Sequence, residues 1–224
     1  MPDTPNTVSG SQSRWEEAFL RFETPEQERR KFGGRLRGLG ADSWPRDSEI
    51  VDLFCGRGQN LVVLESMGFT RLEGVDLSAN LLGRYKGPAR MIQADCRELP
   101  LPDATRDVVV IQGGLHHLPG FPQDLERVLD SILRILRPDG RLVLIEPWDT
   151  PFLRFVLFCA GIPLARSLWR PLDAFHVMVE EETPLYQKWL GSPGVILDRL
   201  NARFRTEKMD IGWGRIAFVG RPKP

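Results

Sequence analysis

From Glu49 to Trp148 the chain alternates short apolar runs with longer mixed stretches; the runs are EIVDLF, RLEGVDL, ARMIQA, DVVVIQ and RLVLIEPW. Apolar runs of this length, separated by segments with room for helices, predict parallel strands joined by right-handed crossovers. Two later runs, FRTEKMDI and GRIAFVG, are joined only through GWG. No crossover helix fits between them, so they are predicted to pair antiparallel as a hairpin. The expected fold class is α/β: a doubly wound sheet, mostly parallel with a C-terminal antiparallel hairpin, and helices on both faces.

Two helices are predicted ahead of this core, between Ser13 and Gly40. Thr24, Pro25 and Gln27 have the order of an N-cap, a first-turn proline and a capping-box partner. The helix they start carries Phe32, Leu36 and Leu39 at helical spacing. Behind the core, an irregular helical region runs from Trp148 to about Leu200. Its first part, PFLRFVLFCAGIPLARSLW, is long enough to span a bilayer, but Arg154, Gly161, Pro163 and Arg166 interrupt it. A charge in the middle of a span is expensive. A buried or lid helix is expected there, with an interfacial membrane helix as the alternative. The resulting division is a disordered tail over 1–12 and a single domain over 13–224. That domain consists of an N-terminal helical lid (13–40), a ligand-binding core (41–148), a helical lid insertion (149–200) and the terminal hairpin (201–224). The tail lacks a basic start followed by an apolar region, so no signal peptide is expected.

Charge and cysteines narrow the class. Thirty basic residues balance thirty acidic ones among 224, so no global field draws the chain to nucleic acid or to an anionic membrane. Cys55, Cys96 and Cys159 fit neither zinc spacing nor a disulfide framework and read as reduced thiols of a cytoplasmic protein. No metal is expected, since no histidine or carboxylate cluster has ligand spacing.

In a doubly wound sheet the ligand lies outside the carboxyl ends of the strands. The first such end is VDLFCGRGQN, where Gly56 and Gly58 permit close backbone approach and free amides at the next helix start. Leu61 stands where a dinucleotide fingerprint has its third glycine. A tight turn without ligand is the alternative reading. Asp76 ends the second run, where a carboxylate can accept from both hydroxyls of a ribose or else cap a helix beside Ser78. Asp95 and Cys96 follow the third run; the Asp95 carboxylate can accept from an exocyclic amine while an adjacent backbone amide meets a ring nitrogen. Gln112 ends the fourth run, and His116 and His117 follow it. An imidazole there has the intrinsic pKa to take a proton from a hydroxyl, and packing is the alternative. Glu146 ends the fifth run and could position an acceptor. His176 reads as packing in the lid or as a base, and Glu180 to Glu182 as a solvated helix start. Arg29, Arg30, Lys31 and Arg35 form a solvated face or, if the N-terminal helices close over the site, could meet a ligand carboxylate. The aromatics from Phe152 to Trp189 could enclose an apolar or aromatic acceptor, or form a satellite core.

The ordered set DLFCGRGQN, GVDLS, ADCRELPLPDATRDVVVIQGGLHHLP and LRILRPDGRLVLIEPW resembles the class I S-adenosylmethionine-dependent methyltransferases, particularly the branch that includes quinone C-methyltransferases and other small-molecule enzymes. The resemblance covers roughly Glu49 to Trp148. It implies a Rossmann-like fold with S-adenosyl-L-methionine as cofactor and S-adenosyl-L-homocysteine as product. It further implies that Asp52 anchors the glycine loop through hydrogen bonds and that Gly56 and Gly58 back the methionine moiety. Asp76, with Leu77 beside it, would hold the ribose, Asp95 and the Cys96 amide would flank adenine, and Gln112 would sit near the methionine portion. Phe54 stands in the same loop where the family usually has glycine. QGGLHH replaces the Asn or Asp followed by two prolines of enzymes that methylate DNA bases or protein amides, so nucleic acid is not an expected partner. The expected function is methyl transfer to an oxygen or carbon of a small, apolar or aromatic metabolite, with His117, His116 and Glu146 as candidate catalytic residues. No stable membrane insertion is expected, and peripheral contact stays open. A catalytically silent S-adenosylmethionine-binding module and a nicotinamide-dependent oxidoreductase are the alternatives.

Overall fold

The computed structural model describes residues 10–223. The strands are β1 (Glu49–Leu53), β2 (Arg71–Asp76), β3 (Arg90–Gln93), β4 (Arg106–Gln112), β5 (Leu136–Pro147), β6 (Phe204–Gly212) and β7 (Arg215–Pro222). They form one seven-stranded sheet in the order β3-β2-β1-β4-β5-β7-β6. All pairings are parallel up to β4–β5, and β7 then runs antiparallel to both β5 and β6. Strand order reverses between β1 and β4, which opens a crevice beyond Leu53 and Gln112.

Period-two alternation supplies both faces of the sheet. Val51, Leu53, Val109, Ile111, Leu142 and Leu144 enter one core, against α5 (Gln123–Ile135) and α10 (Pro193–Arg203). Ile50, Val108, Val110, Val143 and Ile145 enter the other, against α2 (Pro25–Gly38) and α3 (Gln59–Ser66). β5 begins earlier than its apolar run: Arg106 pairs with Leu136, and a register shift then brings Val108 opposite Arg141.

The capping box at Thr24 is present. Thr24 Oγ1 accepts from the Gln27 amide at 3.2 Å, and Gln27 Oε1 accepts from the Thr24 amide at 2.9 Å. Ahead of α2, α1 (Gly10–Phe22) packs along α8 (Arg170–Glu181). The expected tail falls outside the described residues up to position 9, and α1 occupies the rest of its span.

Of the buried or lid helix expected at Pro151 to Trp169, the burial and the single helix are corrected. The segment breaks at Gly161 into α6 (Pro151–Ala160) and α7 (Pro163–Leu168), because Pro163 lacks the amide that would continue the first helix. Only Leu153 and Ala160 of α6 are buried, whereas Phe155, Phe158 and Leu168 are 63%, 69% and 81% exposed. Among the described residues, no helix is long and apolar enough to cross a membrane. One last helix, α9 (Thr183–Leu190), leads from α8 toward α10.

Candidate active site

The loop after β1 is built on left-handed residues. Gly56 has φ +53° and Gly58 has φ +74°, and a Cβ on Gly58 would lie 2.5 Å from a ring carbon of Tyr85. Phe54 holds φ +56°, a conformation that costs a non-glycine residue about 1–2 kcal/mol. Its ring fills the space over Gly114, where an added Cβ would meet Phe54 at 2.2 Å. A phenylalanine in the usual glycine position thus keeps the glycine conformation and packs its ring across the crevice.

Asp76 ties this loop to the next. Its Oδ2 accepts from the Gly56 amide and its Oδ1 from the Ser78 amide, both at 2.8 Å. Ser78 in turn caps α4 (Ala79–Leu82) through the Leu81 amide. Burial raises the Asp76 pKa, and the two amide hydrogen bonds oppose the rise.

The expectation for Asp52 needs a correction, since its carboxylate does not bond the loop backbone. Asp52 Oδ1 accepts from Asn60 Nδ2 at 2.8 Å, and Asn60 Oδ1 accepts from Gln112 Nε2 at 2.9 Å. Asn60 lies at the start of α3 and so links β1 to β4 across the switch point. Asp52 Oδ2 and Gln112 Oε1 are both buried without a hydrogen-bond donor. Burial pushes the Asp52 carboxyl up to about 7, the Asn60 bond lowers it, and the charge of Asp76 adds to the rise.

Asp95 is also less free than expected. It caps the turn Cys96–Glu98 by accepting from the Arg97 amide at 2.8 Å, and it pairs with the Arg97 guanidinium at 2.5 Å. That pairing holds its pKa low. The neighbouring Cys96 thiol is buried, and burial raises its pKa.

These residues surround a cavity of about 400 Å³. Phe54, Gly56, Asp76, Leu77, Asp95, Cys96 and Gln112 line it; Asp52 and Gly58 stand behind the lining. Trp15, Phe19 and Phe32 close it from α1 and α2. The helices are fastened there by Arg57, which pairs with buried Glu28 at 2.7 Å and donates to the Glu23 carbonyl at 2.7 Å. Of the basic residues that could have met a cofactor, Arg29 donates to Gln59 Oε1 at 2.7 Å and Lys31 pairs with Glu23.

A second cavity of about 250 Å³ adjoins the first, and the two share Gln112, Gly113, His117, Glu182 and the α1 aromatics. Its apolar wall includes Phe22, Leu153, Phe175, Met178 and Tyr186. Glu146, expected to face an acceptor, is instead engaged by the protein. Its Oε1 accepts from the Gly114 and Leu115 amides at 2.7 and 2.8 Å, and its Oε2 lies 2.7 Å from His116 Nδ1. Burial lowers the His116 pKa and the charge of His117 adds to this, against the pull of Glu146. His117 packs edge-on to Trp15, with ring centroids 5.1 Å apart, and its buried Nδ1 lies 2.6 Å from Glu182 Oε2 at ion-pair distance but outside hydrogen-bond geometry.

Glu182 therefore leaves the solvated face expected of it, and Glu181 pairs with Arg14 at 2.7 Å. One ligand-type atom from each of His116, His117 and Glu182 lies within 4.8 Å of the others. No sequence spacing reveals that trio, because the docking of α8 supplies Glu182. His176 lines an outer cleft with Arg14, Arg166 and Arg170, apart from both deep cavities. Sequence reasoning missed Trp15, the Glu28–Arg57 pair, Asn60 and Glu182. Only Asn60 carried a signal, as a polar residue two positions past Gly58.

A methyltransferase domain family matches residues 51–144. A ubiquinone/menaquinone biosynthesis C-methyltransferase of Geobacter sulfurreducens is 33% identical over 66% of this chain and 66% of that protein. The 27-O-demethylrifamycin SV methyltransferase of Amycolatopsis mediterranei is 34% identical over 42% of this chain and 37% of that protein. The solved PH0226 protein of Pyrococcus horikoshii superposes with a TM-score of 0.67 at 19% identity, covering 93% of this chain and 98% of that one. The chain spans about half the length of the first curated relatives it matches. It belongs to the class I S-adenosylmethionine-dependent methyltransferases. S-adenosylmethionine is the cofactor of that family, and solved structures of the same fold hold it or S-adenosylhomocysteine.

Proposed function

We propose that this chain transfers a methyl group from S-adenosylmethionine to an oxygen or carbon of a small apolar or aromatic metabolite. The observation that carries this reading is the pair of adjoining cavities, one lined by the Asp76 loop and the other by aromatics, with Gln112, Gly113 and His117 in the wall they share. Gln112 Oε1, buried at that wall without a donor, suits the ammonium of the methionine moiety. Asp52 acts behind it through Asn60. Asp76 holds the ribose hydroxyls with its remaining lone pairs, Leu77 and the Cys96 backbone take adenine, and Asp95 reaches the exocyclic amine while paired with Arg97.

When bound, the cofactor supplies a methyl group already activated on a sulfonium sulfur. The protein aligns the acceptor with that carbon and excludes water by closing Trp15, Phe19 and Phe32 over the site. For a hydroxyl acceptor, His117 takes the proton at Nε2, since Nδ1 faces Glu182. His116, tied to Glu146 and biased toward the neutral form, positions the turn that carries His117.

The exposed apolar surface of α6 and α7 supports peripheral contact with a lipid surface, from which Leu153 leads to the second cavity. Free Cys55, Cys96 and Cys159 fit a cytoplasmic location. Co-flotation with anionic vesicles tests the contact, and protein left in the pellet removes it.

The test of the main reading is calorimetric titration with S-adenosylhomocysteine alongside NAD, followed by a screen of phenols and quinols for S-adenosylhomocysteine release. Binding of S-adenosylhomocysteine alone, then turnover with one acceptor class, is the expected result. Binding with no release for any acceptor marks a silent module, and binding of NAD instead marks an oxidoreductase.

A further inference from the structure

Two of the three permanent cations that line the second cavity lack a carboxylate partner among the described residues. Four acidic side chains line it, and each is already engaged. Glu23 pairs with Lys31, and Glu28 pairs with Arg57 at 2.7 Å. Glu146 lies 2.7 Å from His116 and accepts two backbone amides, while Glu182 lies 2.6 Å from His117. Two guanidiniums in the same wall, Arg35 of α2 and Arg215 at the start of β7, have no carboxylate within ion-pair distance among the described residues. Arg215 Nε is buried without an acceptor. Burial and the charge of Arg215 together depress the Arg35 pKa to about 10.

Two neighbouring half-buried guanidiniums repel one another, and an anion between them relieves that repulsion. Their location also matters. Arg215 pairs in register with Pro147 at the carboxyl end of β5, the end of the sheet where Gln112 and His117 stand. Arg35 comes from the helix that covers the cofactor cavity. Guanidinium forks match carboxylate and phosphate oxygens with two parallel hydrogen bonds each.

We propose that the methyl acceptor carries an oxyanion, a carboxylate or a phosphate, which binds between Arg35 and Arg215 while its apolar body lies against Phe22, Phe175 and Met178. This rests on the second cavity being the acceptor site. It adds a charged group to a substrate that the cavity's apolar lining alone would leave neutral.

The test is calorimetric titration of S-adenosylhomocysteine-saturated protein with octyl phosphate, octanoate and octanol, using wild type, R35Q, R215Q and R215K. The expected result is that at least one anionic probe binds wild type about tenfold or more tightly than octanol, as charge-assisted hydrogen bonds require. R35Q and R215Q should each remove most of that preference while leaving octanol and S-adenosylhomocysteine affinities unchanged, and R215K should retain part of it. Whether octyl phosphate or octanoate binds more tightly assigns the anion. Equal affinity for all three probes, no binding of either anionic probe, or a preference that survives both glutamine variants overturns the proposal. A fall in S-adenosylhomocysteine affinity in R35Q also overturns it, by giving the pair to the cofactor's carboxylate. Failure of wild type to bind S-adenosylhomocysteine would remove the methyltransferase reading itself, a result separable from all the others.

Discussion

Glu146 Oε2 lies 2.7 Å from His116 Nδ1, and the same carboxylate accepts the Gly114 and Leu115 amides through its other oxygen. One buried side chain from the end of β5 thus holds the turn that follows β4. Glu146→Gln replaces an acceptor-only group by one whose NH₂ faces a donor unless the His116 proton moves from Nδ1 to Nε2. A buried donor left without an acceptor costs about 1–3 kcal/mol. The variant should melt at lower temperature and lose turnover, with S-adenosylhomocysteine affinity held within about threefold. Thermal denaturation and single-turnover assays read the two effects. Unchanged turnover would separate Glu146 from the chemistry of His116 and His117.

Asp76 has two tasks, since the hydrogen bonds that shape the loop leave lone pairs facing the cavity. Asp76→Ala removes both the loop contacts and the ribose acceptor. Hydrogen bonds to a charged group contribute about 1.5–3 kcal/mol each, so affinity for S-adenosylhomocysteine should fall by roughly 10- to 100-fold or more. Calorimetry measures it directly. Affinity unchanged from wild type would remove the ribose assignment.

The strands, the terminal hairpin and the capping box at Thr24 were legible because each depends on residues close together in the chain. The glycine loop was legible in type, and Phe54 shows the limit of that legibility. It departs from the family's glycine, yet the backbone keeps φ +56° and the ring finds room over Gly114, a neighbour in the turn after β4. Glu182 failed to stand out for the same reason. Its partner His117 belongs to a different element, and a run of three glutamates otherwise reads as solvated surface. Apolar content marked α6 and α7 as hydrophobic but could not say which faces the fold covers.

Gly58 tests how tightly the loop is specified. Its φ of +74° excludes most side chains, and Tyr85 stands 2.5 Å from where a Cβ would be. Gly58→Ala therefore combines left-handed strain with overpacking, together about 2–4 kcal/mol of lost stability. Urea unfolding should show a lower midpoint at unchanged slope. An unshifted midpoint would mean that the loop adopts another backbone path.

His116, His117 and Glu182 approach one another closely enough to hold a metal ion. The two Nδ1 atoms nevertheless face carboxylates of the protein, Glu146 and Glu182. Methyl transfer from a sulfonium needs no Lewis acid, so treatment with EDTA should leave activity unchanged, and elemental analysis should find no stoichiometric metal. Activity lost to EDTA and restored by one divalent cation would turn the trio into a functional metal site.

Asp52 gives the fold a pH signature. Its ordinary pKa of 3.8 is pushed up to about 7, first by burial and then by the charge of Asp76, against the Asn60 hydrogen bond. Between those values the folded protein keeps a proton that the unfolded chain has already released. Stability therefore falls as pH rises from about 4 to about 7 and levels off above that range. The contribution is at most about 4 kcal/mol. Asp76 and Glu28, also raised by burial, add slopes of the same sign, while His116, lowered by burial, adds one of opposite sign. Asp52→Asn leaves those groups in place, so the difference between its pH profile and that of wild type isolates Asp52. Measured by urea unfolding without ligand from pH 4.5 to 8, the variant should gain on wild type up to neutrality and then hold a constant margin. Parallel profiles would show that Asp52 is ionised in the fold throughout, its charge met by a donor other than Asn60.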